Sequence, residues 1–378
     1  MNKKTATIII TVMLLVAGGV AAYYLLRSNS NVVLSAPPVQ YVSDIISDSN
    51  APEHALVRNY NADDPSKAVF ILGSKGRCEQ LASVLIDSDV YDNVDGSTNP
   101  DGLKDFAGET VCTVANFTGF GEMVQSGKGA ELRELTVRNV LAAMDTLCYV
   151  SPYDRSGMGK KPMAKLIILG SACMTECGLY DVDSLFNALG CRLPVISPMQ
   201  LLLDEAASLA KKGKVLTVGV ISGNAPAEVY GSFLDKKVEK AGVDSVLCVG
   251  FHIPEGEDPL ISFLDYYSSC GYDKPLDVLL VDDLTIDLAR IQESLSIITS
   301  VMNAESMTYG NLIAPGFKVV DTGSRVSRAA YRSLRGRNVF SHRISLPRKL
   351  DYMILPKEGL EKEMMLLQFN ERYIPQAN

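Results

Sequence analysis

The chain has 378 residues, of which 47% are hydrophobic and 21% are charged, as is typical of a packed globular protein. Its net charge of −8 argues against a nucleic-acid partner, because phosphate binding depends on clustered lysines and arginines. Eight cysteines without a C-x-x-C pair, together with only three histidines, argue against a zinc site, and no metal is expected.

An apolar run near the N terminus predicts a membrane anchor. Two lysines precede an uncharged run over residues 5–26, and Arg27 closes it. A helix of this length spans about 33 Å, enough to cross the hydrocarbon core, whereas a cleaved signal has an apolar region of about 7–15 residues. We expect residues 1–27 to be a signal anchor that holds the body outside the cytoplasm, in the periplasm or at the cell surface. A cleaved signal is the alternative.

The rest of the chain predicts an α/β fold. Residues 28–67 are rich in Ser, Asn, Asp and Pro, which is typical of a stalk. Helical patterns separate the apolar runs that follow, and this alternation favours two Rossmann-like lobes with mostly parallel, doubly wound sheets. The lobes are expected at residues 68–196 and 197–345, with a C-terminal extension at 346–378. The predicted strands are 68–72, 110–115, 165–170, 216–221, 245–250, 277–281 and 317–321.

Several predicted strands end in small polar residues, which makes these strand ends candidate ligand sites. In open parallel sheets, ligands bind just beyond the carboxyl ends of the strands. We therefore expect Cys173, Ser222, Asn224 and Asp282 to border one cleft between the lobes. The residues predicted to contact the ligand are Ser74, Thr175, Ser222, Gly223, Asn224, Asp282 and Thr322.

Two of these strand ends also have simpler structural explanations. The turn at residues 73–76 opens a helix, where free amides attract anions, but it lacks the dinucleotide and phosphate-loop glycine patterns. A plain tight turn around Ser74 is the alternative, and no cofactor is expected. The adjacent carboxylates Asp282 and Asp283 could hold a cation or an amine, whereas helix capping by Asp283 would need no ligand.

Motifs around Cys173 resemble the Asp/Glu racemase superfamily. The matching segments are residues 173–175 (Cys-Met-Thr), 193–198 (Leu-Pro-Val-Ile-Ser-Pro), 222–224 (Ser-Gly-Asn) with Tyr230 in the next helix, and 320–323. The resemblance implies a cofactor-independent enzyme in which Cys173 is an acid or base. In racemases a second cysteine ends a later strand, but here that strand ends at Asp282, which leaves a proton transfer on one face. A helix N-terminus would lower the pKa of Cys173; a packed core thiol is the alternative.

A second resemblance, to type I periplasmic binding proteins, concerns architecture alone. Because the body is predicted to lie outside the membrane, the main hypothesis is a protein that binds a small polar solute, an amino acid or a carboxylate, between the lobes. A racemase-like enzyme that uses Cys173 is the first alternative, and a structural or interaction module is the second. An enzyme needs Cys173 exposed in a cleft, whereas a binding protein needs polar and aromatic groups but no reactive thiol. The oligomeric state is left open.

Overall fold

The computed structural model describes residues 37–116, 120–150, 158–223, 225–272, 274–300, 309–341, 343–357 and 360–368. The predicted membrane anchor lies outside these residues. None of the helices within them is both long and apolar enough to cross a membrane. Residues 38–378 form one compact unit, which contains both predicted lobes.

Strands and helices alternate along most of this unit. The strands are β1 (Ala68–Ser74), β2 (Thr110–Asn116), β3 (Leu147–Tyr149), β4 (Met158–Lys160), β5 (Ala164–Leu169), β6 (Val195–Ile196), β7 (Val215–Ser222), β8 (Ser245–Phe251), β9 (Leu276–Asp282), β10 (Ile313–Asp321), β11 (Arg348–Lys357) and β12 (Leu360–Gln368). The helices are α1 (Gln40–Ser47), α2 (Pro52–Arg58), α3 (Lys75–Asp87), α4 (Phe120–Gln125), α5 (Gly129–Met144), α6 (Ala172–Leu189), α7 (Pro198–Ala207), α8 (Ala227–Val238), α9 (Pro259–Ser269), α10 (Leu288–Ser300) and α11 (Thr322–Gly336).

The strands form two sheets, and the predicted α/β fold with mostly parallel sheets is confirmed. The first sheet has eight strands in the order β4-β3-β12-β11-β2-β1-β5-β6, and the second has four in the order β10-β9-β7-β8. All seven predicted strands are present. Part of the predicted C-terminal extension also joins the first sheet, because β11 pairs parallel with β2 and antiparallel with β12.

Residues 40–58, predicted as part of a stalk, instead form α1 and α2. Val42, Ile45 and Val57 are buried in the core of the first sheet. The backbone N–H of Val39 donates to Asp181 in α6 at 2.8 Å. The helices were not predicted because the segment is mostly polar. Its apolar residues Val42 and Ile45 are nevertheless three positions apart, which is the spacing of a buried helix face.

The first sheet has a separate core on each face. Phe70 and Leu72 of β1 face the core that contains α5 and α6, whereas Val69 and Ile71 face the core that contains α3 and α11. Successive side chains of a strand point to opposite faces, which explains the division. Helix α11 directly follows β10 of the second sheet, yet it packs on the first sheet.

Candidate functional site

A buried ion pair connects the carboxyl ends of the two sheets. Arg77 lies in the first turn of α3, directly after β1, and its guanidinium donates to the carboxylate of Asp282, the last residue of β9. Nε of Arg77 also donates to the carbonyl oxygen of Gly170, just after β5, at 3.3 Å. The two charged side chains are only 4% and 2% exposed. The ends of β5 and β9 thus meet through Arg77, which sequence analysis had not selected.

Asp282 has further partners inside the protein. Thr322 Oγ1 donates to Oδ1 of Asp282 at 2.6 Å, and the hydroxyl of Tyr230 donates to Oδ2. Burial, and then the negative charge of Asp282, raise the pKa of Tyr230 well above its usual value, so the phenol stays a donor. Asp282 and Thr322, both predicted to bind a ligand, thus hydrogen-bond to each other. The carboxylate of Asp282 accepts hydrogen bonds from Arg77, Tyr230 and Thr322.

Ser222 links this network to a cavity. Its hydroxyl shares a hydrogen bond with the hydroxyl of Tyr230 at 3.1 Å and accepts from the N–H of Ala225 at 3.3 Å. Ser222 also lines a cavity of about 320 Å³ at the carboxyl ends of β7 and β8. The other polar and aromatic side chains along the wall include Glu228, His252, Tyr266 and Tyr272.

The cavity wall combines opposite electrostatic features. Helix α8 begins at Ala227, and the free amides of a helix start carry partial positive charge. Glu228, an exposed carboxylate, follows in the same turn. Gly250 permits this arrangement, because a Cβ there would lie 2.7 Å from Cβ of Ala227. Burial raises the pKa of Cys248, the cysteine in the wall, to about 12, so that it stays a neutral thiol.

Cys173 is placed differently from the prediction. It is the second residue of α6 and is 6% exposed, in the core that contains α5 and α6. Burial raises its pKa, and the neighbouring Glu176 adds to the effect. The pKa lowering that a helix N-terminus would cause is therefore absent, because desolvation outweighs the influence of the helix N-terminus, and Cys173 is the packed core thiol named as the alternative. Cys173 is not part of the cavity wall beside Ser222.

The remaining predicted residues have varied surroundings. Ser74 is exposed at the end of β1, and Gly223 is exposed after β7. Thr175 is buried and shares a hydrogen bond with the hydroxyl of Ser197 at 2.8 Å. Asn224 lies outside the described residues.

Asp283 does not cap a helix, although its bonds are local and exposed to solvent. Asp283 accepts from the N–H and the hydroxyl of Thr285 at 2.9 and 2.7 Å, which closes a local turn. The amides at the start of α10 instead donate to Asp287, at 3.0 Å from Ala289 and 3.3 Å from Arg290.

Most residues of the cavity wall, among them Glu228, His252, Tyr266 and Tyr272, had not been selected from the sequence. Glu228, Tyr266 and Tyr272 come from separate elements, and their spacing along the chain contains no common motif. His252 directly follows β8, so the rule on strand ends could have indicated it.

Comparisons with known proteins identify similar structures but no sequence relative. A scan against protein-family models found no match, and a search of curated proteins found none either. Among solved structures, glutamate racemase from Francisella tularensis in complex with D-glutamate is similar at 14% identity and a TM-score of 0.43, over 76% of this chain and 88% of that one. Glutamate racemase from Thermus thermophilus is similar at 12% identity and a TM-score of 0.40, over 78% of this chain and 91% of that one.

An aspartate racemase homologue from Pyrococcus horikoshii gives 13% identity and a TM-score of 0.34, over 72% of this chain and 99% of that one. These similar structures are glutamate racemases and an aspartate racemase homologue, proteins of the kind that the motifs around Cys173 resemble. At TM-scores below 0.5 the similarity carries no argument about this chain. The likeness to periplasmic binding proteins stays a prediction.

Proposed function

We propose that this protein binds a small amino acid or carboxylate in the cavity at the ends of β7 and β8 and does not turn it over through a thiol. The cavity itself carries this proposal. Its volume of about 320 Å³ suits a small solute, and its wall combines aromatic side chains with a few polar groups, as in ligand sites generally.

The wall offers complementary groups for a zwitterion. A carboxylate would bind the amides at the start of α8, because these present hydrogen-bond donors and a positive partial charge. An ammonium group would bind the carboxylate of Glu228, in a wall that also contains the aromatic rings of Tyr266 and Tyr272. The site is therefore proposed at the end of the second sheet and not between the lobes.

Thiol-dependent turnover by two bases is not part of the proposal. The strand position that carries a second cysteine in racemases is here Asp282, whose carboxylate is bound by Arg77, Thr322 and Tyr230. Cys173 is buried, and its raised pKa keeps it protonated near neutral pH, so it is a poor base.

Calorimetry and isotope exchange together test the proposal. The full-length chain is titrated with the L-amino acids found in proteins, D-glutamate, D-aspartate and succinate, and at least one of them should bind. The same compounds are incubated with the protein in D₂O, and NMR should show no exchange of the Cα proton. Failure of every compound to bind would contradict the binding function, and protein-dependent exchange would instead show an enzyme.

A one-face proton transfer is the second candidate, and the state of Cys173 favours it over two-base racemisation. A protonated thiol is what a proton donor requires, and burial also raises the pKa of the neighbouring Glu176, so that this carboxyl can hold a proton near Cys173. In this exchange the minor thiolate form of Cys173 would take the Cα proton, the thiol would exchange that proton with D₂O, and it would return a deuteron to the same face. Cys173→Ser should then abolish the Cα exchange, while Cys270→Ser, at an exposed thiol, leaves it unchanged.

We also propose that the body acts outside the cytoplasm, tethered by residues 1–27. The length of the apolar run at residues 5–26 supports this proposal. Fractionation should recover the full-length chain with membranes. A soluble species that begins near Tyr23 would show cleavage instead.

A further inference from the structure

Three of the four sheet edges have features that hinder pairing with another chain. In the first sheet, the edge strands β4 and β6 are only three and two residues long. In the second sheet, edge strand β10 contains Pro315 and Lys318, and its register with β9 shifts between Ile313 and Lys318. Short strands, prolines, lysines and irregular register are the means by which proteins keep edges from pairing.

The fourth edge, β8, has none of these features. Its seven residues contain no charge and no proline, and it pairs with β7 from Ser245 to Phe251 without a register shift. No strand in the described part of the chain pairs with its outer side. A long, uncharged and regular edge is a template for another strand.

The two ends of β8 carry opposite charge. The segments beside its start are tied together, since Asp244 N–H donates to Lys214 and Gly213 N–H donates to Gly242, both at 3.0 Å. This end exposes more lysines than acidic residues. The lysines are Lys211, Lys212, Lys214 and Lys240, and the acidic residues are Glu239 and Asp244. The other end is acidic, and Arg290 offsets only part of its charge. Its acidic residues are Glu228, Glu255, Glu257 and Asp258.

We propose that the β8 edge binds a second copy of this chain, with the two β8 strands antiparallel about a twofold axis. The antiparallel arrangement places the lysine end of each copy beside the acidic end of the other, whereas a parallel arrangement would oppose like charges. A twofold axis makes the contact self-complementary, so that it closes at a dimer. The lysine end of the second copy would approach the cavity, which lies at the acidic end of β8.

Sedimentation equilibrium of the full-length chain in density-matched detergent tests the dimer. We expect Leu247→Lys to raise the dimer dissociation constant about a hundred-fold, because a lysine on the edge strand must be desolvated on pairing. Val319→Lys on β10 is the matched control, since both residues are half-buried against the same core, and it should leave the dimer unchanged. A monomeric wild-type chain, or equal effects of the two variants, would overturn the proposal.

Charge reversal tests the antiparallel arrangement without substitutions in β8. It also tests the dimer if Leu247→Lys does not fold. We expect K212E/K214E to raise the dissociation constant about ten-fold, and E255K/E257K to do the same. The variant with all four changes should regain the wild-type value, because both ends are reversed together. K128E, at an exposed lysine of another segment, should have no effect. Failure of the fourfold variant to recover would overturn the antiparallel contact.

Discussion

The ends of β5 and β7 look alike in sequence but differ in structure. Each strand is an apolar run followed by small polar residues and a helix. After β5, Cys173 is buried in the core between α5 and α6. After β7, Ser222 borders a cavity. A strand end of this type therefore indicates where a site can form, and the packing of the neighbouring helix decides whether it is open.

Close helix packing explains the closed end. A Cβ at Gly178 of α6 would lie 2.3 Å from Cβ of Thr136 in α5, so that only glycine permits this approach. At the open end, α8 starts only after Pro226, and a cavity lies beyond the carboxyl ends of β7 and β8.

The largest expected effect concerns the ion pair between the two sheets. Asp282→Asn should lower the free energy of unfolding by about 3–5 kcal/mol, because it leaves the buried charge of Arg77 without its partner. Asp283→Asn is the control and should cost less than about 1 kcal/mol, because its hydrogen bonds close only a local turn. Chemical denaturation of both variants measures the difference. Equal losses would contradict a structural role that is specific to Asp282.

Alkylation compares the closed strand end with the protein surface. Iodoacetamide should modify Cys173 at least about a hundred times more slowly than the exposed Cys270, because Cys173 is buried and its raised pKa lowers the thiolate fraction. Mass spectrometry of timed digests gives both rates. Similar rates would show that the end of β5 is open in solution and would favour the enzyme.

A smaller effect is expected from the pH dependence of stability. Burial raises the pKa of Cys177, one turn after Cys173, to about 12. Because the folded pKa exceeds the unfolded one, this thiol supports folding fully below about pH 9, and the contribution falls by about 1.4 kcal/mol per pH unit towards pH 12. Cys177→Ala should flatten the alkaline decline of the unfolding free energy under reducing conditions. Cys270→Ala should leave this decline unchanged. Equal slopes of the unfolding free energy against pH for the two variants would contradict the burial of Cys177.

The sequence predicted the central strands because their signal is local. Apolar runs such as those of β1, β5 and β7 are buried on both faces of a parallel sheet and read as continuous hydrophobic segments. Strands β11 and β12 were missed because their place in the first sheet depends on pairing with β2 and β3, which lie far away in the chain.

The site was predicted less completely, for a related reason. Ser222, Asp282 and Thr322 were selected because each lies at or directly after a strand end. Ser222 lines the cavity, whereas Asp282 and Thr322 hydrogen-bond to each other. Arg77 was missed because its ion pair with Asp282 joins residues 205 positions apart, and no local pattern records such a contact. The burial of Cys173 depends on how closely α5 and α6 approach, which the residues around Cys173 do not reveal.

Hydrogen exchange with and without ligand tests the central claim most directly. The probe is whichever amino acid or carboxylate binds in calorimetry, and peptides are compared at residues 225–229 and 248–252, beside the cavity, and at 171–177, around Cys173. We expect protection of the first two segments only, about ten-fold weaker binding for Glu228→Gln, and unchanged binding for Cys173→Ser. Protection confined to residues 171–177, with binding lost in Cys173→Ser, would contradict the central claim and place the site at the end of β5.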